Sequence, residues 1–152
     1  MRLTRISNMK IMDICFKLGI DLKAVKMKDQ FTLDTPDGIY VVNLDDSDGP
    51  GSHWVSMIKM KGNKYLYFDS FGVVPPQTLL DSLEIDPHKL LFNDQQIQTI
   101  TAKNCGYYCI LFAYYYTKLK SPSKTIKAFL SNFTTDEKEN DKVLREIFKK
   151  LL

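Results

Sequence analysis

The sequence predicts an α+β fold in which a central antiparallel sheet is flanked by helices. Two β-prone runs, HWVSMIKM and KYLYFDS, stand on either side of a turn around Lys61-Gly62-Asn63 and predict a hairpin. Segments with apolar residues at helical spacing lie before and after this hairpin and outnumber the predicted strands. The chain has 152 residues, of which 44% are hydrophobic, and this composition predicts a single domain over residues 1–152 with a sizeable core.

One helix and one buried strand are predicted before the hairpin. Ser7 can cap a helix over residues 8–18. A PDG turn then precedes a buried strand, IYVVNL, that begins at Ile39. The DDSDGPG segment that follows has neither helix nor strand potential, so it predicts a polar loop just before His53.

The segment after the hairpin is predicted to be mainly helical. PPQTLLDSL predicts a short helix, QIQTI predicts a short strand, and a long helix begins at Cys105. The final helix opens on a Thr134-x-x-Glu137 capping box. The apolar faces of the last two helices consist of Ile126, Phe129, Leu130 and Phe133, and of Leu144, Ile147, Phe148 and Leu151.

Composition excludes several protein classes. The chain has no run of about 18 apolar residues, and its first ten residues lack the apolar region of a secretory signal, so no membrane association is expected. The three cysteines are too few and too irregular for a disulfide framework or a zinc site. We therefore expect no metal or cofactor, and an intracellular location.

Charge is mildly positive and concentrated near the C-terminus. The net charge is +3, and residues 118–152 contain nine Lys or Arg against five Asp or Glu. Such an excess is typical of a solvated helix face, and the alternative is a weak contact with DNA. No nucleic-acid-binding motif supports that alternative.

A cysteine and a glycine head the tyrosine-rich apolar run NCGYYCILFAYYYTK. If Asn104 caps a helix that begins at Cys105, free backbone N–H groups and the helix dipole favour a thiolate there. Cys105 is then a candidate nucleophile, and the alternative is a small apolar residue that packs under the helix. Cys109, one turn further on, and Cys15, on the apolar face of the first helix, are predicted to be core residues.

The chain has two histidines, so there are two candidates for a general base. His88 lies in a proline-bounded connection without an obvious partner and is interpreted as incidental. His53 opens a strand after a glycine-rich loop, and Asp69 ends the second strand of the same hairpin. A carboxylate beside an imidazole can hold its tautomer and stabilise the imidazolium, so this pair is a candidate catalytic pair.

Whether the pair meets depends on the hairpin register. A three-residue loop, Met60-Lys61-Gly62, pairs Lys59 with Asn63 and places the histidine directly opposite the aspartate, with Cβ atoms roughly 4.5–5.5 Å apart. A two-residue Gly62-Asn63 loop places them on opposite faces of the sheet. The catalytic interpretation requires the first register.

Three further residues are candidates for the same site. Gln98 lies seven residues before Cys105, where its amide can donate to an oxyanion together with the backbone N–H of the cysteine. Gln96 is a nearby alternative for that donor. Trp54 can wall a substrate cleft or belong to the core. Gly106 can let a substrate approach the helix closely or can simply ease packing.

In chain order, GPGSHW, YFDSFG and QIQTITAKNCGYYC resemble the adenovirus-protease-like (adenain-like) cysteine peptidases, which are relatives of the SUMO-specific proteases. That family runs His, Asp or Glu, Gln and Cys along the chain. The resemblance covers roughly residues 8–117 and implies a cysteine-proteinase-like fold with the catalytic cysteine at a helix N-terminus. It implies that His53 is the general base, Asp69 its orienting acid, Gln98 the oxyanion donor and Cys105 the nucleophile.

The resemblance also implies a biological setting. LKAVKMKDQF and NLDDSDGPGSHW are similar to enzymes of this type from polinton-like elements, virophages and related DNA viruses. Such enzymes are endopeptidases that cleave viral structural precursor proteins during virion maturation, often beside small residues such as glycine. The adenovirus enzyme is activated by a peptide through a disulfide with a further cysteine, and no cysteine between Cys15 and Cys105 is present for that part.

Other functions with related chemistry stay open. A SUMO-type protease for ubiquitin-like conjugates would use the same four residues on a different substrate. An acyltransferase would need a coenzyme A site, and no phosphate-binding loop is visible. A binding or scaffold module would have no need of the intact set of His, Asp, Gln and Cys.

Overall fold

The structure of the protein is a computed structural model that describes residues 3–45, 53–99 and 102–152. Its class is α+β, as predicted. The strands are β1 (Leu22–Met27), β2 (Gly38–Asn43), β3 (Trp54–Met60), β4 (Lys64–Phe68) and β5 (Leu90–Phe92). The α-helices are α1 (Asn8–Lys17), α2 (Gln77–Ser82), α3 (Cys105–Leu119), α4 (Pro122–Leu130) and α5 (Glu137–Leu151). Short 3₁₀ turns lie at Lys28–Gln30 and Pro87–Lys89.

The five strands form one sheet in the order β1-β2-β3-β4-β5. The three central strands are antiparallel, as predicted, but β1 runs parallel to β2 and β5 runs parallel to β4. The sequence did not indicate β1 or β5, because β1 is mostly half-buried without alternation and β5 has three residues. Strands and α-helices are therefore equal in number within the described ranges, and the expected excess of helices is wrong.

The β3–β4 hairpin turns one residue later than predicted. Met60 pairs with Lys64 across a three-residue loop whose last two residues, Gly62 and Asn63, have φ angles of 81° and 56°. Glycine and asparagine tolerate this left-handed conformation best, which is why the turn is centred on them. Both predicted loops are wrong, and the partner of every β3 residue shifts by two positions from the first predicted register.

A shift of two positions keeps each side chain on its face of the sheet, because side chains alternate with a period of two. Continued beyond the strand ends, the observed register places His53 opposite Phe71, and their rings stack with centroids 4.1 Å apart. Asp69 becomes a diagonal neighbour of His53 on the same face. The predicted direct pairing of His53 with Asp69 is therefore wrong, while their placement on one face is right.

Helix α3 packs on one face of the sheet and is the centre of the larger core. Its first nine residues, 105–113, are all buried, and α1, α4 and α5 pack around it. Cys15 and Cys109 are fully buried in this core, as predicted. A smaller core on the opposite face of the sheet includes Phe31 and the α2 residue Leu79.

The helix ends agree only partly with the sequence. The Ser7 side chain caps α1 by accepting from the Lys10 N–H at 3.2 Å, as predicted. Asn104 precedes α3, but its side chain makes no capping hydrogen bond. The predicted capping of α3 by the Asn104 side chain is therefore wrong, and its amide instead donates to Asp141 on α5 at 3.1 Å.

The predicted capping box of the last helix is also wrong. Asp136 caps α5 by accepting from the Glu139 N–H, and Thr134 lies in the loop before it. Asn140 explains the difference, since its side chain accepts from the N–H of Thr134 and donates to its C=O, both at 2.8 Å. The Thr134 hydroxyl accepts from the N–H of Asp136 at 3.1 Å instead of from an N–H within the helix.

Two other predicted elements differ in extent. The helix expected through Phe133 ends at Leu130, although Phe133 itself is buried. Residues 96–99 of the predicted QIQTI strand have no strand structure, because the N–H groups of Ile97 and Gln98 both donate to the Ser70 carbonyl. Ile100 and most of the predicted DDSDGPG loop lie outside the described residues. None of the described helices has the length and apolar character that crossing a membrane requires.

Candidate active site

The structure brings the candidate base and acid into direct contact. His53 lies immediately before β3 and Asp69 immediately after β4, at the same end of the sheet. The imidazole Nε2 is 2.7 Å from Asp69 Oδ1, and both side chains are largely shielded from solvent. Phe71 stacks on the imidazole ring and limits its rotation. The contact predicted from the hairpin is therefore present, with a diagonal geometry.

Asn93 holds Asp69 in place and was missed from the sequence. Its Oδ1 accepts from the Asp69 N–H at 3.0 Å, and its Nδ2 donates to the Asp69 C=O at 2.9 Å and to the Gln95 C=O at 3.2 Å. The Asp69 carboxylate in turn accepts from the Phe71 N–H at 2.8 Å. Asn93 follows β5, a strand that the sequence did not indicate, so no spacing rule linked it to Asp69.

The environment of His53 stabilises its protonated form. Burial of the ring lowers its pKa, but hydrogen bonding to Asp69 and to Cys105, together with electrostatic interaction with both groups, outweighs burial and raises the pKa to about 9. The Nδ1 atom is buried and has no hydrogen-bond partner of regular geometry within the described ranges. Hydrogen bonds between catalytic side chains are often long or poorly aligned in enzymes without substrate. The ring thus interacts with a carboxylate through Nε2 and with a thiol.

Cys105 is the first residue of α3, as predicted, and its thiol meets the start of β3. The Trp54 N–H donates to the Cys105 Sγ at 3.4 Å. The Trp54 indole belongs to the core and donates its own N–H to the Ile6 carbonyl at 3.3 Å. Cys105 is buried, with 6% of its surface exposed. The main chain beside His53 therefore fixes the sulfur next to the imidazole.

Gly106 allows the start of α3 to pack closely on its neighbours. A Cβ atom at this position would lie 2.2 Å from Ile6 Cγ2 and 3.4 Å from Trp54 Cδ1. The structure thus supports the packing alternative for Gly106 and the core alternative for Trp54. A contact of either residue with substrate stays a prediction.

Gln98 is completely buried and its amide has a defined orientation. Its Nε2 donates to the Ala102 carbonyl at 3.0 Å, while the Ser70 hydroxyl donates to its Oε1. Because a carbonyl can only accept, the NH₂ end of the amide must face Ala102, three residues before Cys105. One of the two amide N–H groups makes this bond, and the other has no hydrogen-bond partner among the described residues. Gln96 is exposed and braces the Gln98 carbonyl from outside.

Other candidate groups lie elsewhere. His88 is exposed in the second 3₁₀ turn, where its backbone N–H donates to Asp86. Within the described ranges, no group of three or more His, Cys, Asp or Glu side chains could hold a metal ion. The candidate residues contribute a thiol, an imidazole, a carboxylate and an amide.

Comparison with known proteins shows similarity to a viral cysteine protease in both sequence and fold. The chain is 29% identical over 105 residues to the African swine fever virus cysteine protease pS273R, a match that covers 64% of this chain and 38% of that protein. The crystal structure of the ASFV pS273R protease superposes with a TM-score of 0.55 at 17% identity, covering 94% of this chain and 67% of the other. No family model matches the chain.

These similarities establish the fold and a distant relationship. The fold is that of a cysteine protease, as the sequence resemblance implied. The chain spans less than half the length of the viral protease that it matches in sequence. The similarity is to a viral cysteine protease, and membership of the adenovirus or polinton groups that the sequence suggested stays a prediction.

Proposed function

We propose that the protein is a cysteine endopeptidase that uses His53, Asp69, Gln98 and Cys105. The observation that carries this proposal is the imidazole of His53, which bonds to Asp69 through Nε2 at 2.7 Å and also interacts with the Cys105 thiol. A thiol at a helix N-terminus beside a carboxylate-bound imidazole is the arrangement that activates a cysteine for attack on a carbonyl. The sequence similarity to a viral cysteine protease supports the same activity.

The proposed reaction begins from a thiolate and an imidazolium. Since the pKa of His53 is about 9, its ring carries the proton at neutral pH. The Cys105 sulfur attacks the peptide carbonyl, and the negative oxygen that forms accepts from the Cys105 N–H and from the second amide N–H of Gln98. His53 then donates its proton to the leaving amine, and a thioester remains on the sulfur.

The second half of the reaction restores the enzyme. The neutral His53 ring takes a proton from a water molecule, which attacks the thioester carbonyl while the same donors hold the oxygen. The C–S bond breaks, the acid product leaves and the imidazolium–thiolate pair re-forms. Asp69 stabilises the imidazolium in both halves without changing its own protonation.

The substrates of a protease are proteins, and we propose viral structural precursors cleaved during virion maturation. Support for this class comes from the viral origin of the sequence relative. Because the chain spans 38% of that relative, substrate recognition in the longer protein is not transferred to this one. Cleavage beside small residues and action inside an infected cell are parts of this proposal.

The basic C-terminal region offers less support for a partner. On α5, Lys142 and Lys149 form ion pairs with Glu139 and Glu146 of the same helix. Pairs of this kind are typical of a solvated helix face. Contact with DNA therefore stays a prediction, without a structural observation in its favour.

A cleavage assay tests the proposed function. The purified protein is incubated with a proteome-derived peptide library and with capsid precursor proteins of DNA viruses, and new termini are mapped by mass spectrometry. We expect a consistent cleavage motif that is absent with Cys105→Ala. Limited iodoacetamide should label Cys105 before the other thiols, since burial raises the pKa of Cys15 to about 12 and raises that of Cys109. Cleavage that persists in Cys105→Ala would overturn the proposal.

A further inference from the structure

We propose that Asn140 and Asp141 of α5, named here the α5 clamp, are positioning residues that set the spacing of the two oxyanion donors. The proposal rests on the proposed function, because it concerns the Gln98 amide and the Cys105 N–H. These two donors lie near the ends of one segment, residues 97–104. The clamp binds that segment at both ends, from a helix that begins 32 residues after Cys105 (137 minus 105).

Asn140 holds the Gln98 end of the segment. Its Nδ2 donates to the Ile97 carbonyl at 3.0 Å, in the peptide bond that joins Ile97 to Gln98. The same side chain is bonded twice to Thr134 at 2.8 Å, and Asn140 is fully buried. All of its hydrogen-bonding atoms therefore have partners in a water-free site, which gives the side chain one orientation.

Asp141 holds the Cys105 end of the segment. Its Oδ1 accepts from the Asn104 Nδ2 at 3.1 Å and from the Tyr108 hydroxyl at 2.7 Å. Asn104 immediately precedes the nucleophile, and Tyr108 lies one turn further along α3. The carboxylate thus binds the first turn of α3 on both sides of the Cys105 N–H.

The bond from Asn104 to Asp141 replaces the N-cap hydrogen bond that the Asn104 side chain could otherwise make. An asparagine at a helix N-cap normally accepts from a backbone N–H of the first turn. Here the Asn104 amide turns to Asp141, and its Oδ1 is buried without a hydrogen-bond partner in the described part of the chain. This arrangement leaves the N–H groups at the start of α3 free of a side-chain cap, so they can bind a developing negative charge.

The clamp therefore predicts a defect limited to reactions that form an oxyanion. Acylation by p-nitrophenyl acetate passes through a tetrahedral oxyanion, whereas alkylation by iodoacetamide does not, although both begin from the same thiolate. We expect Asp141→Ala to lower the rate of Cys105 acylation roughly tenfold, less than the 10²–10³-fold cost of losing a donor outright. Alkylation of Cys105 should stay within about twofold of wild type.

Two matched variants separate positioning from general stability. Asp136→Ala removes the α5 N-cap and should lower the melting temperature without removing a contact to Ile97 or Asn104, so both rates should be unchanged in folded protein. Asp141→Asn keeps an oxygen acceptor for Asn104 and Tyr108, and it should restore most of the acylation rate. Asp141 is a partly exposed residue within α5, and alanine is well tolerated in helices, so Asp141→Ala should fold.

Three outcomes would overturn the clamp. The first is an acylation rate in Asp141→Ala within twofold of wild type. The second is an equal fall in the acylation and alkylation rates of that variant. The third is the same loss of acylation in Asp136→Ala. Failure of the proposed function would look different, because wild type would then acylate no faster than Cys105→Ala. In that case the clamp is tested by backbone hydrogen exchange over residues 97–104. The clamp is wrong if exchange in Asp141→Ala is no faster than in Asp136→Ala.

Discussion

The two halves of the candidate site are built differently. On the hairpin side, His53 and Asp69 lie at the ends of two consecutive strands and meet because those strands pair. On the helix side, the residues next to Gln98 and Cys105 are hydrogen-bonded to α5, a helix much further along the chain. The comparison teaches that the proposed proton-transfer groups are positioned by the pairing of consecutive strands, while the proposed oxyanion donors depend on contacts with a distant helix.

The difference has a kinetic consequence. Variants on the hairpin side change the imidazolium and should therefore affect thiolate reactivity and peptide hydrolysis together. Variants on the helix side should affect hydrolysis and acylation while leaving alkylation intact.

His53→Ala should have the largest effect. Loss of the imidazole removes general acid and base together, so kcat/KM for a cleaved peptide should fall roughly 10²–10⁴-fold. Alkylation of Cys105 by iodoacetamide at pH 7 should slow as well, because the charge partner of the thiolate is gone. Stopped-flow hydrolysis and mass-spectrometric labelling measure the two rates. Unchanged labelling would remove His53 from the site.

Gln98→Ala should reduce turnover roughly 10²–10³-fold, the usual cost of one oxyanion donor. KM and the alkylation rate of Cys105 should change little, since the donor acts on the transition state. Gln96→Ala is the matched control, because this side chain is exposed and, among the described residues, bonds only to the Gln98 carbonyl. If Gln96→Ala shows the larger loss of turnover, the donor has been assigned to the wrong residue.

Asn93→Ala should lower kcat/KM about tenfold through misplacement of Asp69. Three hydrogen bonds disappear, and the N–H and C=O of Asp69 lose their partner in a buried site. As a hairpin-side residue, Asn93 should affect alkylation and acylation in the same proportion, in contrast to Asp141. Parallel measurement of both rates in the two variants checks this contrast, and a selective loss of acylation in Asn93→Ala would contradict it.

The pH dependence should report the His53 pKa of about 9. Above that pH the ring loses the proton that the leaving amine needs, so kcat/KM should fall about tenfold per pH unit. The pKa is raised from 6.5, so the stabilisation by the imidazolium is complete below about pH 6.5 and is lost as pH rises through about 9. A pH–rate profile and thermal unfolding between pH 6 and 10.5 test this. A basic limb near pH 6.5 would contradict the folded-state pKa.

Cys109→Ser should have the smallest effect on activity, within about twofold. Its sulfur is fully buried in the core and takes no part in the site, so the added hydroxyl should instead lower the free energy of unfolding by about 1–3 kcal/mol. Cys105→Ser is the reciprocal variant, which should lose activity with little change in stability. Denaturant unfolding and peptide hydrolysis of both variants distinguish a core cysteine from a nucleophile. Inactivity of folded Cys109→Ser would contradict the assignment of Cys109 to the core.

Much of the fold and most of the site were accessible from local pattern. The Ser7 cap, the β2 strand, the helix beginning at Cys105 and the burial of Cys15 and Cys109 depend on short-range periodicity and capping chemistry, which a single sequence records. The face of the sheet on which each hairpin side chain lies was also predictable, because a register shift of two positions leaves every side chain on the same face. For this reason the contact between His53 and Asp69 was predicted although the loop was placed one residue too early.

The sequence by itself therefore determined which chemical groups are present, their order along the chain and the elements that carry them. Only the tertiary structure decided the diagonal geometry of the His53–Asp69 pair, the brace from Asn93 and the attachment of α5 to both ends of residues 97–104. The physical reason is that these contacts join segments far apart in the chain through single hydrogen bonds between buried polar groups. Such bonds depend on complete burial and exact partners, and neither leaves a periodic signal in the sequence.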